Sequence, residues 1–226
     1  ANYKLSDKWN TVAEGYFFAK EDKTTDVLST VKADRVYVPG FRVSTNPIKG
    51  LNLQGELAWQ RGTDNLGSSA VRREAMGGQF IASYLLPFEK TAKYEPVLAY
   101  AYTYASGDKD TLLSNGNPGA KQKAWDPMFE RVSSGKIYNA IFNLTNVHVN
   151  ELSFSMKPVQ DLTTKLTWAM LTLDKKLNDN SGATWTPIDS TMGTYTVQSD
   201  KKNLGNEVDL DLTYAYTEDV SIGMSA

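Results

Sequence analysis

Polar and apolar residues alternate with a period of two along most of this chain, and amphipathic helix signals are scarce. The alternating runs, rich in Tyr, Val, Thr, Phe and Trp, predict β-strands near 9–21, 35–46, 51–63, 74–88, 94–107, 146–158, 163–176 and 204–217. Stubs at 1–5 and 220–226 bring the expected number to ten. Several runs exceed the ~9–11 residues that carry a tilted strand across a bilayer. Strands of water-soluble proteins usually have about 5–6 residues.

The connections alternate in length. Short ones are expected at 6–8, 47–50, 89–93, 159–162 and 218–219, and long ones at 22–34, 64–73, 108–145 and 177–203. Leu5-Ser6-Asp7, Ile48-Lys49-Gly50, Val159-Gln160-Asp161 and Thr217-Glu218-Asp219 share one form, a break ending in Asp or Gly, residues that tolerate tight-turn dihedrals. Long loops at one end and short turns at the other are the habit of an outer-membrane barrel. The expected fold is therefore all-β, an antiparallel up-and-down transmembrane β-barrel. It is expected as a single domain over 1–226, cut at both ends and part of a larger barrel, with a long external loop at 108–145.

Strand parity then assigns faces, because successive side chains point to opposite sides of a sheet. In LGNEVDLDLTYAYT, Val208, Leu210, Leu212 and Tyr214 share one face, and Glu207, Asp209 and Asp211 share the other. By the same rule Tyr100 and Tyr102 oppose Ala99 and Ala101, Trp59 opposes Glu56, and Phe154 opposes Glu151 and Lys157. Trp168 opposes Lys165, and Arg42 shares its side with Ser44 and Asn46. In a barrel the set Trp59, Tyr100, Tyr102, Phe154, Trp168, Leu210, Leu212 and Tyr214 is expected to face lipid. Arg42, Glu56, Glu151, Lys157, Lys165, Glu207, Asp209 and Asp211 are expected to face a wet lumen. Two lapses mark the pattern: Leu171 and Leu173 fall on the polar side of their strand, and Phe17 and Phe18 on opposite faces. A soluble sandwich shows the same alternation with its apolar side inward. Strand length, loop asymmetry and Tyr near strand ends favour the barrel.

Composition narrows the classes further. The net charge of −2 over 226 residues lacks the basic excess of a nucleic-acid binder. A mean hydropathy of −0.42 does not argue for a soluble protein, since barrel strands average lipid-facing with lumen-facing residues. There is no run of 18 apolar residues, hence no transmembrane helix. With no Cys there is no disulfide, thiolate metal site or Cys nucleophile.

Five elements carry a resemblance: Ala105-Ser106-Gly107-Asp108, Trp125-Asp126-Pro127, Lys157-Pro158, Asp161-Leu162 and Gly205-Asn206-Glu207-Val208-Asp209. In this order and spacing the chain resembles the alginate-export family of Gram-negative outer-membrane barrels, closely over 94–226 and loosely before. The resemblance implies a channel that passes an anionic polysaccharide outward. A polyuronate path calls for Arg and Lys in its lining, yet the lumen set here adds Glu14 to the acids Glu56, Glu151, Glu207, Asp209 and Asp211.

Other candidate chemistry is sparse. His148, the only His, shares its side with Asn150 and Leu152, away from Ser153 and Ser155, so a Ser–His pair is not expected. The row Glu207, Asp209, Asp211 reads either as a lumen ladder pairing with cations on neighbouring strands or as a solvated face. Arg72-Arg73 beside a long connection reads as a solvated loop end or as an attractor for lipopolysaccharide phosphate. Asp108, Asp110 and Asn115, and LNDNSG at 177–182, offer oxygen ligands without a calcium loop's spacing. The long loop 108–145 has the option of folding inward. The expected function is an outer-membrane channel or export porin, not an enzyme and without cofactor. It would pass a hydrophilic solute, an anionic polysaccharide or other carbohydrate, by passive diffusion. Outer-membrane lipid, lipopolysaccharide and the carbohydrate are the expected partners. Two alternatives stay open: a sleeve around a periplasmic or lumenal partner protein such as an electron carrier, and a soluble carbohydrate-binding β-protein.

Overall fold

The computed structural model describes residues 1–22, 34–66, 69–108, 121–128, 135–141, 144–176, 184–185, 195–196 and 201–226. Its strands are β1 (Asn2–Ser6), β2 (Thr11–Asp22), β3 (Asp34–Ile48), β4 (Leu51–Leu66), β5 (Ser69–Leu85), β6 (Val97–Ala105), β7 (Lys121–Gln122), β8 (Val147–Val159), β9 (Leu162–Leu173), β10 (Thr184–Trp185), β11 (Tyr195–Thr196), β12 (Asn203–Ala215) and β13 (Ser221–Ser225). One sheet runs β1-β2-β3-β4-β5-β6-β8-β9-β12-β13, each strand antiparallel to its neighbours, with β7 added parallel to β5. A short helix, α1 (Ile137–Ile141), lies in the connection between β6 and β8. The ten expected strands are the ten of this path, as an open up-and-down sheet.

Two connections differ from expectation. The stretch 64–73 is not a long loop: β4 and β5 pair as far as Leu66 and Ser69, leaving two residues between them. Apolar residues do not alternate along this end of the hairpin, so no period-two signal marks it as strand. The short turn after β5 is longer than expected and contains a 3₁₀ turn, Glu89–Tyr94. Pro87 and Pro96 cannot donate to a sheet ladder and bracket the place where pairing stops. Gly50, between β3 and β4, has φ +84, and a Cβ there would stand 3.0 Å from the Leu85 carbonyl oxygen. The tight turn therefore requires glycine.

Register turns parity into rows that cross the sheet. One row joins Glu14, Arg42, Glu56, Gln79, Thr103, Val149 and Leu171 from β2 to β9. The next joins Tyr16, Gly40, Ala58, Gly77, Ala105, Val147 and Leu173. Both rows lie on the face that carries the connection between β6 and β8, called here the loop-bearing face. On the opposite, open face Leu53, Ala82, Tyr100, Leu152, Trp168 and Val208 form a row.

The two faces differ in dryness in the direction opposite to a soluble fold. Leu210, Tyr100 and Trp168 on the open face are 42%, 38% and 44% exposed, while Glu207 and Asp209 on the loop-bearing face are 7% and 3% exposed. The packed clusters sit under the loop. One contains Ala105, Tyr138, Leu144, Val147, Val149, Ala169 and Leu171. The other contains Val36, Val38 and Ala58 with Tyr16, Trp125 and Met128 against them. Leu171 and Leu173, the irregular pair of β9, are buried on this face, Leu171 in the cluster around Tyr138.

Candidate channel wall and its strap

The segment 121–141, where described, is a strap laid over the loop-bearing face and held at several points. Gln60 on β4 is 0% exposed. Its amide nitrogen donates to the Asp126 carbonyl at 2.6 Å, and its amide oxygen accepts from the Asp126 N–H at 2.8 Å. One side chain thereby imitates a strand partner for the strap. The Trp125 N–H donates to the Ser106 carbonyl at 2.8 Å, and the Ser106 hydroxyl donates to the Lys123 carbonyl at 2.8 Å. Asp108 accepts the Lys123 N–H at 2.9 Å. The Asp126 carboxylate accepts from the Met128 N–H at 2.7 Å and lies 3.4 Å from the Lys20 ammonium and 3.9 Å from Arg73.

The indole of Trp125 rests on Gly77, where a Cβ would come within 3.1 Å of the ring. Gly77→Val is therefore expected to lift the strap, because overpacking of this kind costs about 1–3 kcal/mol. Faster tryptic cleavage after Lys121 and Lys123, with the sheet's thermal unfolding little changed, is the expected result.

The second anchor is Glu207. Its carboxylate accepts the backbone N–H groups of Lys136 and Ile137 at 2.7 Å on one oxygen and of Tyr138 at 2.8 Å on the other. These are the first-turn donors of α1, which have no partner inside the helix. Tyr138 donates its hydroxyl to Glu151 at 2.7 Å, and Lys136 lies 3.3 Å from Asp211. The acidic row of β12 thus holds the strap. Glu151, Glu207 and Asp209 are dry, and of the row Asp211 alone pairs with a cation in these contacts.

The cationic members have different surroundings. Arg42 donates to Glu14 at 3.1 Å and also to Gln54, and stands in register between Glu14 and Glu56. Glu56 accepts the Tyr16 hydroxyl. Lys165 faces Asp211 across the β9–β12 ladder. Lys157 pairs with Glu95 at 2.6 Å near the short turns. Of the pair at 72–73, Arg72 is solvent-exposed and 3.1 Å from Glu74, whereas Arg73 is buried within 3.7 Å of Asp34. Arg73 is thus no solvated loop end: strand pairing turns the two arginines to opposite faces. Asp110, Asn115 and 177–182 lie outside the described residues.

On the open face Trp59, Tyr102 and Leu212 are half-buried, and Phe154 and Tyr214 are exposed like Leu210. At the long-loop end of this face the Tyr102 hydroxyl meets His148 Nδ1 at 2.7 Å, and His148 Nε2 lies 3.6 Å from Asp174. Ser153 and Ser155 occupy the other face. Burial pushes the Asp174 carboxyl up, but the Gly107 N–H at 3.0 Å, the Lys175 ammonium and His148 outweigh it, so the net shift is below the ordinary value of 3.8. A depressed carboxyl contributes stability above its ordinary value and loses it as pH falls through its folded one. The Gly107 amide is expected to lose hydrogen-exchange protection as pH drops below 3.8, and to be weakly protected already at neutral pH in Asp174→Ala.

The residues that parity could not single out are Gln60, Trp125, Asp126 and Tyr138, which act as fasteners. Their local signals are the Trp-Asp-Pro element and the small residues Gly77, under the Trp125 ring, and Gly135, against the Tyr138 ring.

An antiparallel up-and-down sheet with greasy side chains on its exposed face, and charges and a folded strap on the other, defines the wall of a β-barrel of the porin class. The chain matches the family model described as alginate export over residues 4–226, and it belongs to that family. This is a family of Gram-negative outer-membrane transport porins. No curated protein matches the chain.

Proposed function

We propose that this chain forms part of the wall of an outer-membrane channel that exports a hydrophilic carbohydrate polymer by passive diffusion, with the open face against lipid and the loop-bearing face toward the bore. One observation carries the reading: the apolar side chains are exposed on one face of long strands, while charges and amides lie in register on the other. Exposed apolar area of this extent marks a surface that is covered by lipid or protein, and long alternating strands favour lipid. The strap narrows the bore, and the row Glu14, Arg42, Glu56, Gln79 replaces part of the solute's hydration as it passes.

The test is conductance in planar bilayers with liposome uptake of oligosaccharides. Ion current that depends on strap integrity, together with uptake of hexasaccharides, is expected. A protein that inserts but conducts no ions would sink the diffusion pathway.

A further inference from the structure

Beside the strap, a concavity of about 460 Å³ opens on the loop-bearing face. That lies within the ~300–1,000 Å³ typical of small-ligand sites. Its floor is the polar row of β2–β5, and Phe18 and Tyr16 stand at its side. Phe18 is out of place by parity. Among the exposed aromatic side chains of the described strands, it alone lies on the loop-bearing face, 53% exposed. Its ring lies 5.1 Å from that of Tyr16, centroid to centroid. The Tyr16 ring covers Gly40, where a Cβ would collide with it at 2.3 Å, so the backbone is shaped to seat that ring.

From this geometry we infer a binding subsite for a neutral sugar residue, the ring's C–H face stacked on Phe18 and Tyr16 and its hydroxyls read by Arg42, Glu56 and Gln79. The inference rests on the channel reading and narrows its solute. A pyranose has an apolar face and a hydroxyl rim, and the concavity offers both complements at adjacent positions. Carboxylates present about four acceptor sites, guanidinium only donors and a primary amide both. An exposed aromatic supplies rigid contact area at little entropic cost.

Charge decides between neutral and anionic sugars. Arg42 stands in register between Glu14 and Glu56, two carboxylates around one guanidinium. A uronate carboxylate would add a third negative charge to that group. Lys20, 3.4 Å from Asp126, and Arg73, 3.7 Å from Asp34, face carboxylates of their own, and among the described side chains that line the concavity Arg42 is the one cation. A neutral hexose meets no such penalty.

The experiment uses the full chain with two probes of equal length, maltohexaose and hexamannuronate. Each is read as concentration-dependent current block in planar bilayers and by calorimetric titration in detergent micelles. Maltohexaose is expected to bind more tightly than hexamannuronate. Phe18→Ala should weaken maltohexaose about tenfold while Phe18→Trp retains it. Glu14→Gln with Glu56→Gln should move the preference toward hexamannuronate. Phe18 is exposed, so its replacement leaves folding intact, which the unfolding midpoint checks. Equal maltohexaose affinity in Phe18→Ala and wild type overturns the subsite, as does tighter binding of hexamannuronate by wild type. Absence of conductance with intact calorimetric binding defeats the channel reading and spares the subsite.

Discussion

Leu210→Arg is expected to prevent stable insertion of the protein into lipid bilayers. Leu210 is 42% exposed on the open face and lies opposite Leu166 in the ladder. With Leu98, Phe154 and Leu166 it completes an apolar row across four strands. If that row lies against hydrocarbon, a guanidinium in it costs about 2–4 kcal/mol near the midplane. The measurement is urea-dependent folding into lipid vesicles, followed by the electrophoretic mobility of the folded form. Leu210→Ala serves as the control, since it removes the bulk without adding charge. A soluble sheet with a hydrated open face behaves oppositely: the arginine variant would fold normally and dissolve better. That outcome would end the membrane reading.

Releasing the strap is the second large effect expected. Glu207→Ala removes the acceptor of three backbone N–H groups in a site where the carboxylate is only 7% exposed. Each buried donor left without a partner costs about 1–3 kcal/mol. Of the three, only the Tyr138 N–H is buried, whereas Lys136 and Ile137 are exposed and regain water, so the loss should be about 1–3 kcal/mol and fall on α1, not on the ladder, whose hydrogen bonds are main-chain. Tryptic cleavage after Lys136 should accelerate, and single-channel conductance should rise as the strap leaves the bore. Glu207→Gln, which keeps one acceptor oxygen, should lie between. Unchanged cleavage and conductance in Glu207→Ala would mean that α1 is held instead by the packing of Tyr138 against Leu171 and by the Tyr138–Glu151 and Lys136–Asp211 contacts.

These two substitutions sit three residues apart on one strand and draw on different kinds of information. The face that Leu210 occupies was readable locally, because a period of two ties a side chain's face to its index and needs no partner to be known. The same rule puts the acidic residues at 207 and 209 on the face opposite Leu210. Their dryness was not readable. It depends on Lys136, Ile137 and Tyr138, about 70 residues away, folding back onto β12. The lapse at Leu171 was visible in the alternation as an irregularity, and its cause is the Tyr138 cluster. Arg72 and Arg73 looked like a loop-end pair because β4 and β5 extend as strands through a stretch with no apolar alternation.

Alternation, turn residues and strand length by themselves determined an up-and-down antiparallel sheet, its ten main strands and the sidedness of nearly every strand residue, because these follow from backbone geometry one or two residues at a time. Tertiary structure alone decided what covers the polar side. Gln60 pairing with the Asp126 main chain, Trp125 on Gly77 and Glu207 on the first turn of α1 each join positions at least 48 residues apart. Such contacts form only where register brings a small residue, an amide or a carboxylate opposite the returning loop, and no local pattern along the chain encodes that meeting.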